Sequence, residues 1–161
     1  MAVDLCYVVT PAELGKVVRV HYWWWHDVQV GDMLDSVASY DLHQTFTGFH
    51  RVTSYTAPPA GKRALTLELS VASYHWGEGG RAELTLHAVA HGADGFGSFE
   101  KDYPKSGSRM GNQVASLSAA IRHSTLEAYQ SALDDLRKDL FQALHEPSPA
   151  VPADQDESPD E

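Results

Sequence analysis

Two alternating segments joined by a glycine-rich turn constrain the fold of this chain more than any other feature. In residues 65–76, Leu and Val occupy positions 65, 67, 69 and 71, and Thr, Glu and Ser lie between them. Residues 81–91 repeat the pattern, with Ala or Leu at every second position. A period of two places alternate side chains on opposite faces of a strand. We therefore predict a β-hairpin, with its turn in the intervening Gly-Glu-Gly-Gly sequence.

Further strands are predicted from short apolar or β-branched runs bounded by turn residues. They cover residues 4–10, 16–25, 49–55 and 96–103. The loop expected after the last of them begins at Pro104, because proline lacks the backbone donor that a strand uses.

Two helices are predicted from apolar residues at helical spacing. The first covers residues 28–44, with Asp27 as its N-cap, and the second covers residues 112–145. In the second helix the apolar stripe steps by five residues from Ile121 to Leu126, so we expect a bend or a change of packing partner near Ser124. Because strands and helices are largely segregated along the chain, we predict an α+β fold. In this fold an antiparallel sheet is packed on one side by an amphipathic helix and a long C-terminal helix.

Length and charge limit the domain organisation and the class of partner. A chain of 161 residues is long enough for one domain with its own core, which we assign to residues 1–145. Residues 146–161 hold four of the eight prolines and six acidic residues, a composition that predicts a disordered acidic tail. With a net charge of −10, the chain lacks the basic surface that nucleic-acid binding needs.

The N-terminus and the cysteine content give no sign of an anchor. No basic start followed by an apolar run is present, so no signal peptide is predicted. Cys6 is the single cysteine, and Val3-Asp4-Leu5 before it lacks the small residues of a lipoprotein signal. One thiol also excludes an internal disulfide and a zinc site built on two or more cysteines.

The sequence contains no motif that indicates an enzyme. The Gly-rich turn joins two strands and lacks the following helix that a phosphate-binding loop requires. Nine histidines are scattered along the chain, and of these His75 and His87 are expected to face each other across the hairpin. Scattered surface histidines are the favoured interpretation, so we assign no catalytic residue, no metal site and no cofactor.

Three consecutive tryptophans, Trp23-Trp24-Trp25, are the most unusual local feature. One interpretation places alternate rings in the core. The other places outward rings on a surface that docks a partner or lines an apolar groove. For the second interpretation we select five candidate contact residues, which are Tyr22, Trp23, Trp25, Tyr74 and Trp76. Part of the leucine stripe of the long helix is also available to pack on another subunit.

The order of these signals resembles a known family. An aromatic strand ending in Trp precedes an amphipathic helix and the sequence Phe49-His50-Arg51-Val52. The Leu-alternating hairpin follows, then a strand that closes in Tyr103-Pro104, and finally a long helix that begins with Val114, Leu117 and Ala120-Ile121. Over residues 23–144 the chain resembles the ABC-type transport auxiliary lipoproteins of Gram-negative bacteria, including the paraquat-inducible type, which accompany MCE-domain lipid transporters.

The resemblance implies a periplasmic, outer-membrane-associated α+β protein without catalytic residues. It would assist lipid transport by contacting an MCE-domain protein or other ABC transporter components, and lipid itself is a further expected partner. This chain departs from the family in lacking a recognisable lipidated cysteine and in its short stretch before Trp23. Three alternatives remain: a stand-alone carrier of a small hydrophobic ligand, an enzyme of unrecognised type that uses His and acidic residues, and a homo-oligomeric structural protein of the envelope.

Overall fold

The computed structural model describes residues 2–22, 24–58, 63–77, 79–93, 97–108 and 116–145. The elements in chain order are β1 (Asp4–Val8), α1 (Pro11–Leu14), β2 (Val18–Tyr22), β3 (Trp24–Val28), α2 (Val30–Thr45), β4 (Gly48–Val52), β5 (Ala64–Gly77), β6 (Arg81–Ala93), β7 (Phe99–Ser108) and α3 (Leu117–His145). They confirm the α+β class. The predicted tail at 146–161 and residues 112–115 of the predicted long helix lie outside the described residues.

The central sheet has five strands in the order β4-β1-β5-β6-β7. Strands β5, β6 and β7 are antiparallel neighbours, and β5 and β6 form the predicted hairpin. Strand β1 instead pairs in parallel with both β4 and β5, so the sheet is mixed and not antiparallel throughout. On β1 the side chains of Leu5, Tyr7 and Val8 are fully buried, whereas Cys6, on the same face as Val8, is partly exposed.

Helices α2 and α3 pack on the sheet and share one continuous core with it. On α3 the buried stripe includes Tyr129, Leu133, Leu136 and Leu140. Each such leucine stabilises the fold by about 1.5–3 kcal/mol through removal of its surface from water. Near Ser124, where the apolar stripe of α3 steps by five residues, the buried positions are occupied by Ser124 and Thr125. The hydroxyls of both donate to carbonyl oxygens of the preceding turn.

A β-bulge in β5 changes which residues face the helices. The register with β6 shifts between Val71 and Ser73, so Ala72 is an extra residue in the strand. Before the bulge odd-numbered residues such as Val71 face the core, and after it the even-numbered Tyr74 and Trp76 do. The backbone N–H of Val71 donates to the Glu13 carboxylate at 2.6 Å, which ties the strand to α1.

The predicted loop from Pro104 is wrong, because β7 continues through Pro104 to Ser108. Strand β7 is the last strand in the order of the described sheet, so within the described ranges one of its edges has no neighbouring strand to bond. A proline is tolerated at such an edge because its missing donor leaves no hydrogen bond unmade.

Candidate functional site: an aromatic hairpin and the cleft at its base

Strands β2 and β3 form a separate two-stranded hairpin beside the main sheet. Val18 pairs with Val28, and Tyr22 pairs with Trp24, so the chain reverses inside the segment predicted as one strand over 16–25. That prediction is wrong because the alternating pattern runs through the reversal without a Gly, Pro or Asn to indicate a turn. The predicted N-cap is wrong as well, since Asp27 lies in β3 and Gln29 precedes α2.

The two faces of the hairpin differ in chemistry. On the inner face Val20 and Val28 are buried against the body of the protein. An isolated two-stranded hairpin is marginally stable in water, so these two side chains anchor it. On the outer face Arg19 donates to the Asp27 carboxylate at 2.8 Å, a hydrogen bond that lowers the pKa of Asp27.

Two tryptophan rings are exposed at the far end of the hairpin. Trp24 is 65% exposed and Trp25 is 63% exposed. The Trp25 ring lies edge-on to the His21 ring, with 4.7 Å between ring centroids. Exposed tryptophan is uncommon because an indole ring gains more than most side chains from leaving water. Consecutive strand residues project from opposite faces, so the end of the hairpin carries one exposed ring on each face. We call these two rings the aromatic tip (Trp24 and Trp25).

The five predicted contact residues do not lie together. Trp25 is in the aromatic tip, whereas Trp23 and the side chain of Tyr22 lie outside the described part of the chain. Trp76 is 5% exposed and its indole N–H donates to Ser124 at 3.2 Å, so it belongs to the core and the expectation of an exposed ring there is wrong. Tyr74 is half-buried on the same side, and its hydroxyl is 2.8 Å from that of Thr125.

Sequence reasoning missed Trp24 as a contact residue. Its position in the alternation grouped it with Val18 and Val20, which predicts the same face of the strand. The pairing of Tyr22 with Trp24 does place Trp24 on the inner face, but at the end of the hairpin that extends beyond the body. No signal in the sequence distinguishes that end from the buried one.

A cleft of about 260 Å³ lies at the base of the hairpin, between β3 and the first turns of α2 and α3. Its walls include Val28 and Ile121, which are buried, and Met33, which is half-buried. Six polar residues also line it: His26, Asp27, Gln29, Asp32, Ser118 and Arg122. The Nε2 atom of His26 is buried and has no hydrogen-bond partner among the residues that the structure describes.

Charged side chains elsewhere hold α3 to β7. Lys105 pairs with Asp135, and the hydrogen bonds from Lys105 and Lys138 lower the pKa of Asp135 to about 2. Asp139 accepts from Lys101 at 2.7 Å and from the Tyr103 hydroxyl at 2.6 Å. These groups are engaged in structural contacts between the helix and the sheet.

The histidines do not form the pair that the sequence suggested. His75 pairs across the hairpin with Glu83, whereas His87 lies beside Asp102, with 2.7 Å between Nδ1 and the carboxylate. Among the residues described, no group of three or more His, Cys, Asp or Glu side chains is arranged to hold a metal ion. Neither α3 nor any other described helix has the apolar composition that a membrane-spanning helix requires.

The sequence matches no protein-family model and no curated protein. Several solved structures have a similar chain course. One is a Xanthomonas campestris protein described as DUF330, with 11% identity, a TM-score of 0.48, and coverage of 87% of this chain and 84% of that one. Another is a “putative lipoprotein” from Caulobacter crescentus, with 17% identity, a TM-score of 0.42, and coverage of 91% and 93%. An uncharacterised protein has 13% identity, a TM-score of 0.46, and coverage of 86% and 91%.

Proposed function

We propose that this chain is a non-catalytic component of the Gram-negative periplasm that assists an ABC/MCE-type lipid transport system through protein–protein contacts. The observation that carries the proposal is the aromatic tip, where Trp24 and Trp25 are each more than three-fifths exposed. The resemblance in the order of elements over residues 23–144 supplies the class of partner, an MCE-domain protein.

The chemistry of the aromatic tip suits a protein contact. Tryptophan is enriched among the residues that dominate binding energy at protein interfaces, since it buries a large rigid area with little loss of conformational freedom. The ion pair between Arg19 and Asp27 neutralises the flank of the hairpin, which favours burial of the rings against a partner. The buried side chains of Val20 and Val28 hold the base of the hairpin against the body of the protein.

The experiment is an affinity pull-down from envelopes of the source organism, with proteins identified by mass spectrometry. The full chain is the bait, compared with a Trp24→Ala/Trp25→Ala variant. Tyr40→Ala is the matched control, because Tyr40 is 73% exposed on α2 and the change removes an aromatic ring elsewhere. We expect the native chain and the control to recover an MCE-domain protein and the double variant to lose it.

Two results would overturn the proposal. One is recovery of no MCE-domain protein or ABC transporter component by the native chain. The other is equal recovery by the Trp24→Ala/Trp25→Ala variant. A thermal melt of each bait accompanies the pull-down, and unchanged melting of the double variant is expected because both rings lie in solvent.

A further inference from the structure

The cleft at the base of the hairpin has the polar groups of a ligand site. We propose that it binds a zwitterionic phosphate–amine group of the phosphoethanolamine type, with the phosphate at Arg122 and His26 and the ammonium at Asp32. The polar part of this site is distinct from the aromatic tip, although a lipid bound there would extend toward Trp24, and the proposal does not rest on the function proposed above. Its test uses the isolated chain and no protein partner.

Two of the charged side chains that line the cleft, Arg122 and Asp32, are opposite in sign and have no ion-pair partner among the described residues. Asp27, the other carboxylate of the cleft, is already paired with Arg19. A guanidinium matches the geometry of a phosphate, and a carboxylate accepts from an ammonium.

A ligand with a single charge satisfies only half of this arrangement. A simple anion is attracted by Arg122 but repelled by Asp32, and a simple cation is attracted by Asp32 but repelled by Arg122. A group that carries both charges a few bonds apart engages both side chains. Charge complementarity therefore favours a zwitterion over inorganic phosphate or a metal ion.

The buried Nε2 atom of His26 provides a second and independent observation. It has no hydrogen-bond partner, although buried polar atoms in folded proteins are nearly always satisfied. When Nε2 carries the ring proton it donates to a phosphate oxygen, which supplies the missing partner. The backbone of His26 is held in the hairpin, where it pairs with Val20.

The apolar walls extend the site beyond a headgroup. Val28, Ile121 and Met33 line the cleft, and Trp24 lies on the same face of the hairpin as His26, two residues toward its end. A soluble phosphoethanolamine compound uses the polar groups alone. A phospholipid with that headgroup also places its acyl chains along these walls toward Trp24.

The experiment is isothermal titration of the full chain with two probes that share the headgroup. One is glycerophosphoethanolamine, and the other is dihexanoyl phosphatidylethanolamine below its critical micelle concentration. We expect binding that Arg122→Gln and Asp32→Asn each weaken about tenfold or more, since each removes a charge-assisted hydrogen bond. Both residues are exposed, so both variants are expected to fold. Arg81→Gln is the matched control, because Arg81 is an exposed arginine on β6 that does not line this cleft.

The outcomes separate the two sources of the headgroup. Equal affinity for the two probes identifies a soluble ligand. Affinity about tenfold higher for the lipid identifies a phospholipid, and Trp24→Ala then removes the difference between the probes. The proposal is overturned if neither probe binds. It is also overturned if dihexanoyl phosphatidylglycerol, which lacks the amine, binds as tightly while Asp32→Asn has no effect.

Discussion

Gly107 lies where strand β7 packs against the backbone of α3, and its replacement by alanine tests how tightly the two are joined. A Cβ at this position would overlap the carbonyl oxygen of Ser124 and lie 2.9 Å from the backbone nitrogen of Ala128. Both atoms belong to the helix, so no side-chain rotation relieves the overlap and the helix must move. Overpacking of this kind costs about 1–3 kcal/mol, and a rigid neighbour favours the upper end.

The net destabilisation follows from subtracting the entropic gain of losing a glycine. That gain is about 0.4–1 kcal/mol, which leaves about 2 kcal/mol of destabilisation for Gly107→Ala. In a domain of this size about 2 kcal/mol lowers the melting temperature by about 4–8 °C. Circular dichroism on heating and urea denaturation measure the two quantities.

Gly97→Ala is the matched control, because the added Cβ would lie 3.8 Å from the Cβ of Ala143, an ordinary contact. We expect this variant to be as stable as the native chain or slightly more stable. The reasoning is refuted if Gly107→Ala lies within about 0.5 kcal/mol of the native chain, the usual range of a neutral surface change. Equal destabilisation by the two variants would refute it as well.

Two further results are expected. Tyr129→Phe removes the buried hydrogen bond that the hydroxyl donates to the Val30 carbonyl at 2.8 Å. We expect the free energy of unfolding to fall by about 1 kcal/mol, and an unchanged urea midpoint would contradict that contact. The pKa of Asp135 is lowered to about 2 by hydrogen bonds from Lys105 and Lys138, so the stability that it contributes is present above its ordinary pKa of 3.8 and is lost as the pH falls through about 2. Urea denaturation of the native chain and of Lys105→Met, repeated between pH 2 and pH 3.8, should show that the free energy of unfolding depends less on pH in the variant. An identical dependence in both would exclude the Lys105–Asp135 pair as the source of that dependence.

Local periodicity predicted the parts of the fold that depend on neighbouring residues. The hairpin of β5 and β6 was predicted to within two residues at each end, because one face of each strand is apolar and the turn is rich in glycine. The alternation does not reveal the extra residue at Ala72, since an inserted residue leaves both flanking segments alternating. The prediction that Trp76 is exposed was wrong for the same reason, because the face assigned to it depends on that bulge.

The candidate cleft is formed by residues far apart in the sequence, and no local sequence pattern predicts that they come together. His26, Asp32 and Arg122 come from three elements, and Arg122 is separated from His26 by almost a hundred residues. Each residue alone has the sequence context of an ordinary surface side chain. Their common position follows from the packing of α2 and α3 beside the hairpin, which is a property of the whole chain.

The place of β1 between β4 and β5 in the sheet has a consequence for folding during synthesis. This strand leaves the ribosome before its two partners, β4 and β5, which begin at Gly48 and Ala64. Until both have emerged, an apolar segment that includes Leu5 and Val8 has no partner strand on either side. Closing loops of this length slows folding and prolongs exposure to aggregation. The nascent chain is therefore most vulnerable before β5 is complete, and that interval is where a chaperone would have the most effect.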